Sequence, residues 1–146
     1  MVEVVPAINQ VEVHPYHSQP ELRAEHARLG ITTQVWSPLG GVYVYGAERS
    51  GGVPKSALAD PVITRIAAAH DRTPAQVVLR WHIEGGRSAI PKSVRPERIA
   101  ENLDVFGFSL TAAEIAAIDA MDTGVRGGPN QDAMDFRSFG VTIPEA

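Results

Sequence analysis

Five polar residues in one short stretch have the chemistry of an anion site. Lys92 and Ser93 follow the apolar run Ala89-Ile90-Pro91, and Arg98, Glu101 and Asn102 follow Pro96. Residues spaced i, i+3 and i+4 share one helix face, so the last three stand together near a helix start. A helix N-terminus offers unpaired N–H groups and a partial positive charge, both suited to a phosphate. An ammonium, a hydroxyl and a guanidinium could converge there on a phosphate monoester. A carboxylate and an amide would remain beside them for a base's exocyclic amine. The competing reading is a solvated polar helix face. Ile99, Leu103 and Phe106 are expected to point the other way, into a core.

Trp36-Ser37-Pro38-Leu39-Gly40-Gly41 forms a second group. A Trp at a strand end can stack on a planar ring, and paired glycines let backbone approach a phosphate closely. A core Trp followed by ordinary turn chemistry is the alternative. The third group is Asn9, Gln10, Glu12 and His14. Buried polar residues on a strand need partners, and Gln10 could meet a ligand carboxamide or join an internal hydrogen-bond network. A metal set of Glu12, His14 and His17 is not assigned, because strand geometry puts His14 and His17 on opposite faces with Pro15 between them.

Periodicity supplies the elements that must carry these groups. Ala7 to Val13 alternates as a strand ending at Pro15, with Gln10, Glu12 and His14 on one face. Gln19 to Leu29 reads as a helix, with Leu22 and Leu29 on one side and Gly30 closing it. Ile31 to Trp36 is a second strand. Strand, helix and strand within about 30 residues make a βαβ unit with parallel strands. The Gly-rich stretch from Gly40 to Val53 reads as a mobile loop. Asp60 caps a helix from Pro61, with Ile63, Ile66 and Ala67 on its apolar face. Thr73 and Gln76 form a capping box for a helix carrying Val77, Val78 and Trp81, ended by Gly85-Gly86. Ser88 to Ile90 is a short third strand, and Pro96 opens a helix through about Val105. Thr111 and Glu114 box the start of a last helix to Met121, with Leu110 and Ile115 as its staple. Beyond Thr123 the tail is expected to be irregular.

Bulk properties narrow the field. The chain has 146 residues, 44% hydrophobic and 21% charged, with a net charge of −4 and no cysteine. One soluble domain over 1–146 is expected. Disulfides, thiolate nucleophiles and Cys-ligated zinc are excluded. No segment approaches the roughly 20 apolar residues of a membrane span, and no secretory signal is evident, so a cytoplasmic location is expected. The net charge gives no general attraction to nucleic acid or to anionic lipid.

Taken together, the three groups resemble the aldo-keto reductase family, in particular its bacterial 2,5-diketogluconate reductase-like branch. Pro6 to Tyr16 is similar to the family's sixth barrel strand and Trp36 to Gly40 to its seventh. Ile90 to Ser93 with Arg98 to Asn102 is similar to the eighth strand and the helix after it. The resemblance implies a C-terminal half: an α/β partial (β/α)8 TIM barrel of the last three strands, sixth to eighth, with their helices, a C-terminal helix and a tail. It implies NADP(H), bound without a Rossmann motif. Gln10 would bond the nicotinamide carboxamide, Trp36 would stack on its ring, and Ser37, Leu39 and Gly41 would line the pyrophosphate. Lys92, Ser93 and Arg98 would hold the 2′-phosphate with Val94 beside them, and Glu101 and Asn102 would reach the adenine. Phe136 and Phe139 would shape the substrate pocket.

The family's catalytic Asp, Tyr, Lys and His belong to strands that the resemblance places before this chain, so no catalytic residue is assigned. Weak or absent reduction of aldehydes and ketones by the isolated chain is expected. Self-association or a complementary fragment is also expected, because three barrel strands leave two open edges. A non-enzymatic nucleotide-binding or assembly remnant is the alternative.

Overall fold

Alternation and capping fix most of the elements in the computed structural model, which describes residues 4–40 and 56–128. In chain order these are β1 (Ile8–Glu12), α1 (Pro20–Leu29), β2 (Thr32–Trp36), a 3-10 turn (Ala57–Ala59), α2 (Pro61–His70), α3 (Pro74–Glu84), β3 (Ser88–Ala89), α4 (Pro96–Leu103) and α5 (Ala112–Asp119). The strands form one parallel sheet in the order β1-β2-β3. Its register pairs Gln10 with Gln34 and Glu12 with Trp36, and Gln34 with Ser88 and Val35 with Ala89.

Paired residues in a parallel sheet share a face. One face therefore carries Gln10, Glu12, Gln34 and Trp36, while Val11, Val13 and Val35 belong to the core. They pack in one cluster with Ile63, Ile66 and Ala67 of α2, Val77, Val78 and Trp81 of α3, and Ile118 of α5. The helix starts are secured as their sequences dictate. The Asp60 carboxylate accepts from Val62 N at 2.9 Å, and its other oxygen accepts from the Tyr16 hydroxyl at 2.8 Å. Thr73 with Gln76 and Thr111 with Glu114 are complete capping boxes. Leu110 is buried and Ile115 packs against the same core.

Several expectations need correction. Instead of the last three strands, sixth to eighth, of a (β/α)8 TIM barrel, the described residues form an open sheet of three strands. The third strand is only two residues long. The expected C-terminal tail, with Phe136 and Phe139, lies outside the described residues, as does Gly41. Leu29 is exposed, and the residue that α1 buries is His26. The Asn9 amide donates to His26 Nε2 at 3.0 Å, so Nδ1 carries the ring proton and donates to Thr33 Oγ1 at 2.9 Å. His14 and His17 do not diverge: the Pro15-Tyr16 turn folds them into an antiparallel bridge, with ring centroids 6.0 Å apart.

The largest departure is α4, which ends at Leu103 rather than Val105 and buries no residue. Ile99, Leu103 and Phe106 are 54%, 73% and 66% exposed instead of facing a core. Among the described residues no element packs over that side. With Leu79, Ile83 and Val105 these side chains instead line an open apolar groove of about 590 Å³.

Candidate functional site

The chain emerging from β3 turns into α4 beside the start of α3, and that junction makes a cleft of about 270 Å³. Lys92, Ser93, Arg98, Glu101 and Asn102 all line it, opposite Leu39, Leu58 and the Thr73-Pro74-Ala75 start of α3. The five residues singled out for anion chemistry thus converge in space. Val94 does not join them and is 79% exposed. The Ser93 hydroxyl accepts from Arg95 N at 3.1 Å, which tightens the turn into the helix. Arg95 occupies the N-cap without a side-chain cap. Among the described residues, neither Lys92 nor Arg98 forms an ion pair. Two uncommitted cations, a hydroxyl and an uncapped helix start suit a phosphate monoester.

Leu39 connects this cleft to the strand end three residues earlier. Trp36 is half-buried, and Ser37 adopts a left-handed backbone (φ 50°) that turns the chain out of β2. Gly40 N then bonds Ser37 O at 2.9 Å, closing the turn. This turn is held from below by His82, which sequence reasoning missed. The His82 ring is fully buried and its Nε2 lies 3.0 Å from the Pro38 carbonyl. Arg87 Nε donates to His82 Nδ1 at 3.1 Å, so the proton sits on Nε2 and is donated to Pro38. Burial and then the Arg87 charge push the His82 pKa down to about 3, which keeps the ring neutral. The available signal was a histidine inside the apolar stripe of α3, beside Trp81.

Gln10 is exposed and donates to Gln34 Oε1 at 2.6 Å. Two positions on, Glu12 is completely buried. Its Oε1 accepts from the backbone N–H groups of Gly127 and Gly128, each at 2.9 Å, and lies 3.1 Å from His14 Nε2. Burial pushes this carboxyl up, but His14 and the two N–H groups outweigh it, and its pKa falls below the ordinary value. The clamp lays Gly128 directly on the Trp36 ring, where a Cβ would come within 2.4 Å of the indole. Only glycine fits that approach. Among the described residues, no group of three or more His, Asp or Glu side chains could hold a metal ion. No helix there is long and apolar enough to cross a membrane.

Residues 2–123 match the model of the aldo/keto reductase family. The chain belongs to that family. It is 54% identical over 137 residues to morphine 6-dehydrogenase of Pseudomonas putida, covering 94% of this chain and 46% of that enzyme. A variant of Gox0644 solved in complex with NADPH superimposes with a TM-score of 0.77 at 46% identity, over 91% of this chain and 45% of that one. A Bombyx mori aldo-keto reductase solved in complex with NADP gives 0.78 at 36% identity, over 90% and 42%. The chain therefore spans a little under half the length of the relatives it matches. The family match also ends at residue 123, short of the tail. These matches establish membership and a half-length span, and they replace the numbering of the three strands as sixth to eighth.

Proposed function

We propose that this chain contributes NADP(H)-binding residues to an aldo-keto reductase-type oxidoreductase. The observation that carries this reading is the convergence of Lys92, Ser93, Arg98, Glu101 and Asn102 on one cleft, with Lys92 and Arg98 outside any ion pair among the described residues. Relatives solved with NADPH and NADP supply the ligand class. In this reading Lys92, Ser93 and Arg98 take the 2′-phosphate, and Glu101 and Asn102 reach the adenine. Trp36 stacks on the nicotinamide and Gln10 holds its carboxamide. Ser37 and Leu39 line the pyrophosphate. Two cations around a phosphate favour NADP(H) over NAD(H). The bound cofactor would supply a hydride for reduction of a carbonyl. The proposed branch is the bacterial one that resembles 2,5-diketogluconate reductases.

No segment of this chain resembles the family's catalytic Asp, Tyr, Lys and His, so the chain alone is proposed to turn over weakly or not at all. Loss of a general acid typically costs about 10²–10⁴-fold. A complementary chain or a second copy is proposed to cover the apolar groove along α4. Ile99, Leu103 and Phe106 are all exposed there.

Titrating NADPH against the fluorescence of Trp36 and Trp81, with NADH as control, tests the cofactor reading. Saturable quenching that prefers NADPH and weakens about tenfold in Arg98→Ala is the expected result. Equal response to both cofactors, or indifference to Arg98, would overturn it.

A further inference from the structure

At the opposite end of the sheet, before β2 and β3 begin, a second cleft of about 530 Å³ opens between α1 and the turn that follows α3. Its walls are Pro20, Arg23, Ala24 and Ala27 of α1, Gly30 to Thr33 leading into β2, and Gly85-Gly86-Arg87. Among the described residues, two guanidiniums line it and no carboxylate does.

Arg87 is only 5% exposed. Its guanidinium lies over the Trp81 ring, 4.1 Å from the centroid, and donates to Trp81 O at 2.8 Å and to His82 Nδ1 at 3.1 Å. It presses against Gly85, where a Cβ would fall 2.4 Å from one terminal nitrogen. That glycine is required for the guanidinium to lie there. Among the described residues Arg87 has no ion pair, and Asp119, the acidic group that acts on it from nearby, is occupied by Trp81 Nε1 at 2.9 Å. Burial and then the charge of Arg23 pull the Arg87 pKa down to about 10, as expected where positive charge is not compensated. Arg23 is half-buried, and its Nε is shut off from solvent with no hydrogen-bond partner among the described residues.

A buried guanidinium without a counter-charge is costly, and two that repel one another are costlier. Two guanidiniums lining one cleft suit an oxyanion. We propose that this cleft binds a phosphate-class oxyanion between Arg23 and Arg87. It is separate from the cofactor cleft: Lys92 follows the C-terminal end of β3, whereas Arg87 precedes its start. Its volume leaves room for the organic part of a small phosphate monoester.

The test is titration of the purified full chain with inorganic phosphate at constant ionic strength, with chloride as control. The readouts are Trp81 fluorescence beneath Arg87 and the thermal melt. Wild type and Arg98→Ala are both expected to show a saturable phosphate response. Arg23→Gln should weaken it about tenfold or more, and Arg23→Lys by less, because the charge stays while the fork is lost. Arg23→Gln also removes the repulsion with Arg87, so in chloride it should melt no lower than the wild type. No response above chloride would overturn the proposal. So would a response that survives Arg23→Gln and disappears in Arg98→Ala, which would assign the phosphate to the cofactor cleft alone.

Discussion

Helices α3 and α4 begin alike and end in opposite circumstances. Each has proline in its first turn and an apolar stripe at helical spacing. Yet α3 buries Gln76, Val77, Val78, Leu79, Trp81 and His82, and α4 buries nothing. The stripe states which side of a helix would be buried, and whether it is buried depends on a surface arriving from elsewhere. For α3 that surface is α2 and β3, with Val35 of β2 and Ile118 of α5 in the same core cluster. For α4 the described residues supply no equivalent, and its apolar side lines an open groove.

The sharpest way to break this contrast is truncation at matched positions. Trp81→Ala removes a fully buried ring and its hydrogen bond to Asp119, and should cost about 3–5 kcal/mol in chemical unfolding. A loss below about 1 kcal/mol would mean that the α3 core is not the stabilising one. The next effect is electrostatic. His82 is held neutral with a pKa of about 3, whereas an unfolded histidine takes its proton near 6.5. The folded state thus binds fewer protons between those values, and stability should fall as pH drops below about 6.5, by about 1.4 kcal/mol per unit. The buried His17 is shifted the same way, so the difference between wild type and His82→Gln isolates the His82 share. Matching slopes in the two proteins would refute it. The smallest effect belongs to α4: Leu103→Ala should change the stability of the chain alone by no more than about 0.5 kcal/mol. The same substitution should weaken association with whatever covers the groove, read by sedimentation. A large loss of stability in a monomer would show that α4 is already buried.

Much of the local structure could be read in the residues themselves. Thr73-Pro74-Ala75-Gln76 and Thr111-Ala112-Ala113-Glu114 stated their capping boxes, because those contacts reach only three residues along the chain. Lys92, Ser93, Arg98, Glu101 and Asn102 were legible as a group for the same reason. The fourth wall of their cleft, Leu58 and the start of α3, was not, since it comes from more than 15 residues away. His82 under Pro38, Glu12 under Gly127 and Gly128, and Arg23 across from Arg87 were also hidden. Each joins segments between 44 and 116 residues apart or across separate elements.

Sequence alone determined the secondary elements, the core-facing residues of α2 and α3, and the chemistry available at the β3–α4 turn. Those follow from periodicity, capping and side-chain type, which act over a few residues. Tertiary structure decided which apolar stripe became core, which histidine was locked neutral, and which cations stand outside any ion pair among the described residues. Burial and charge compensation are properties of what the rest of the fold brings within a few ångströms, and no local pattern encodes them.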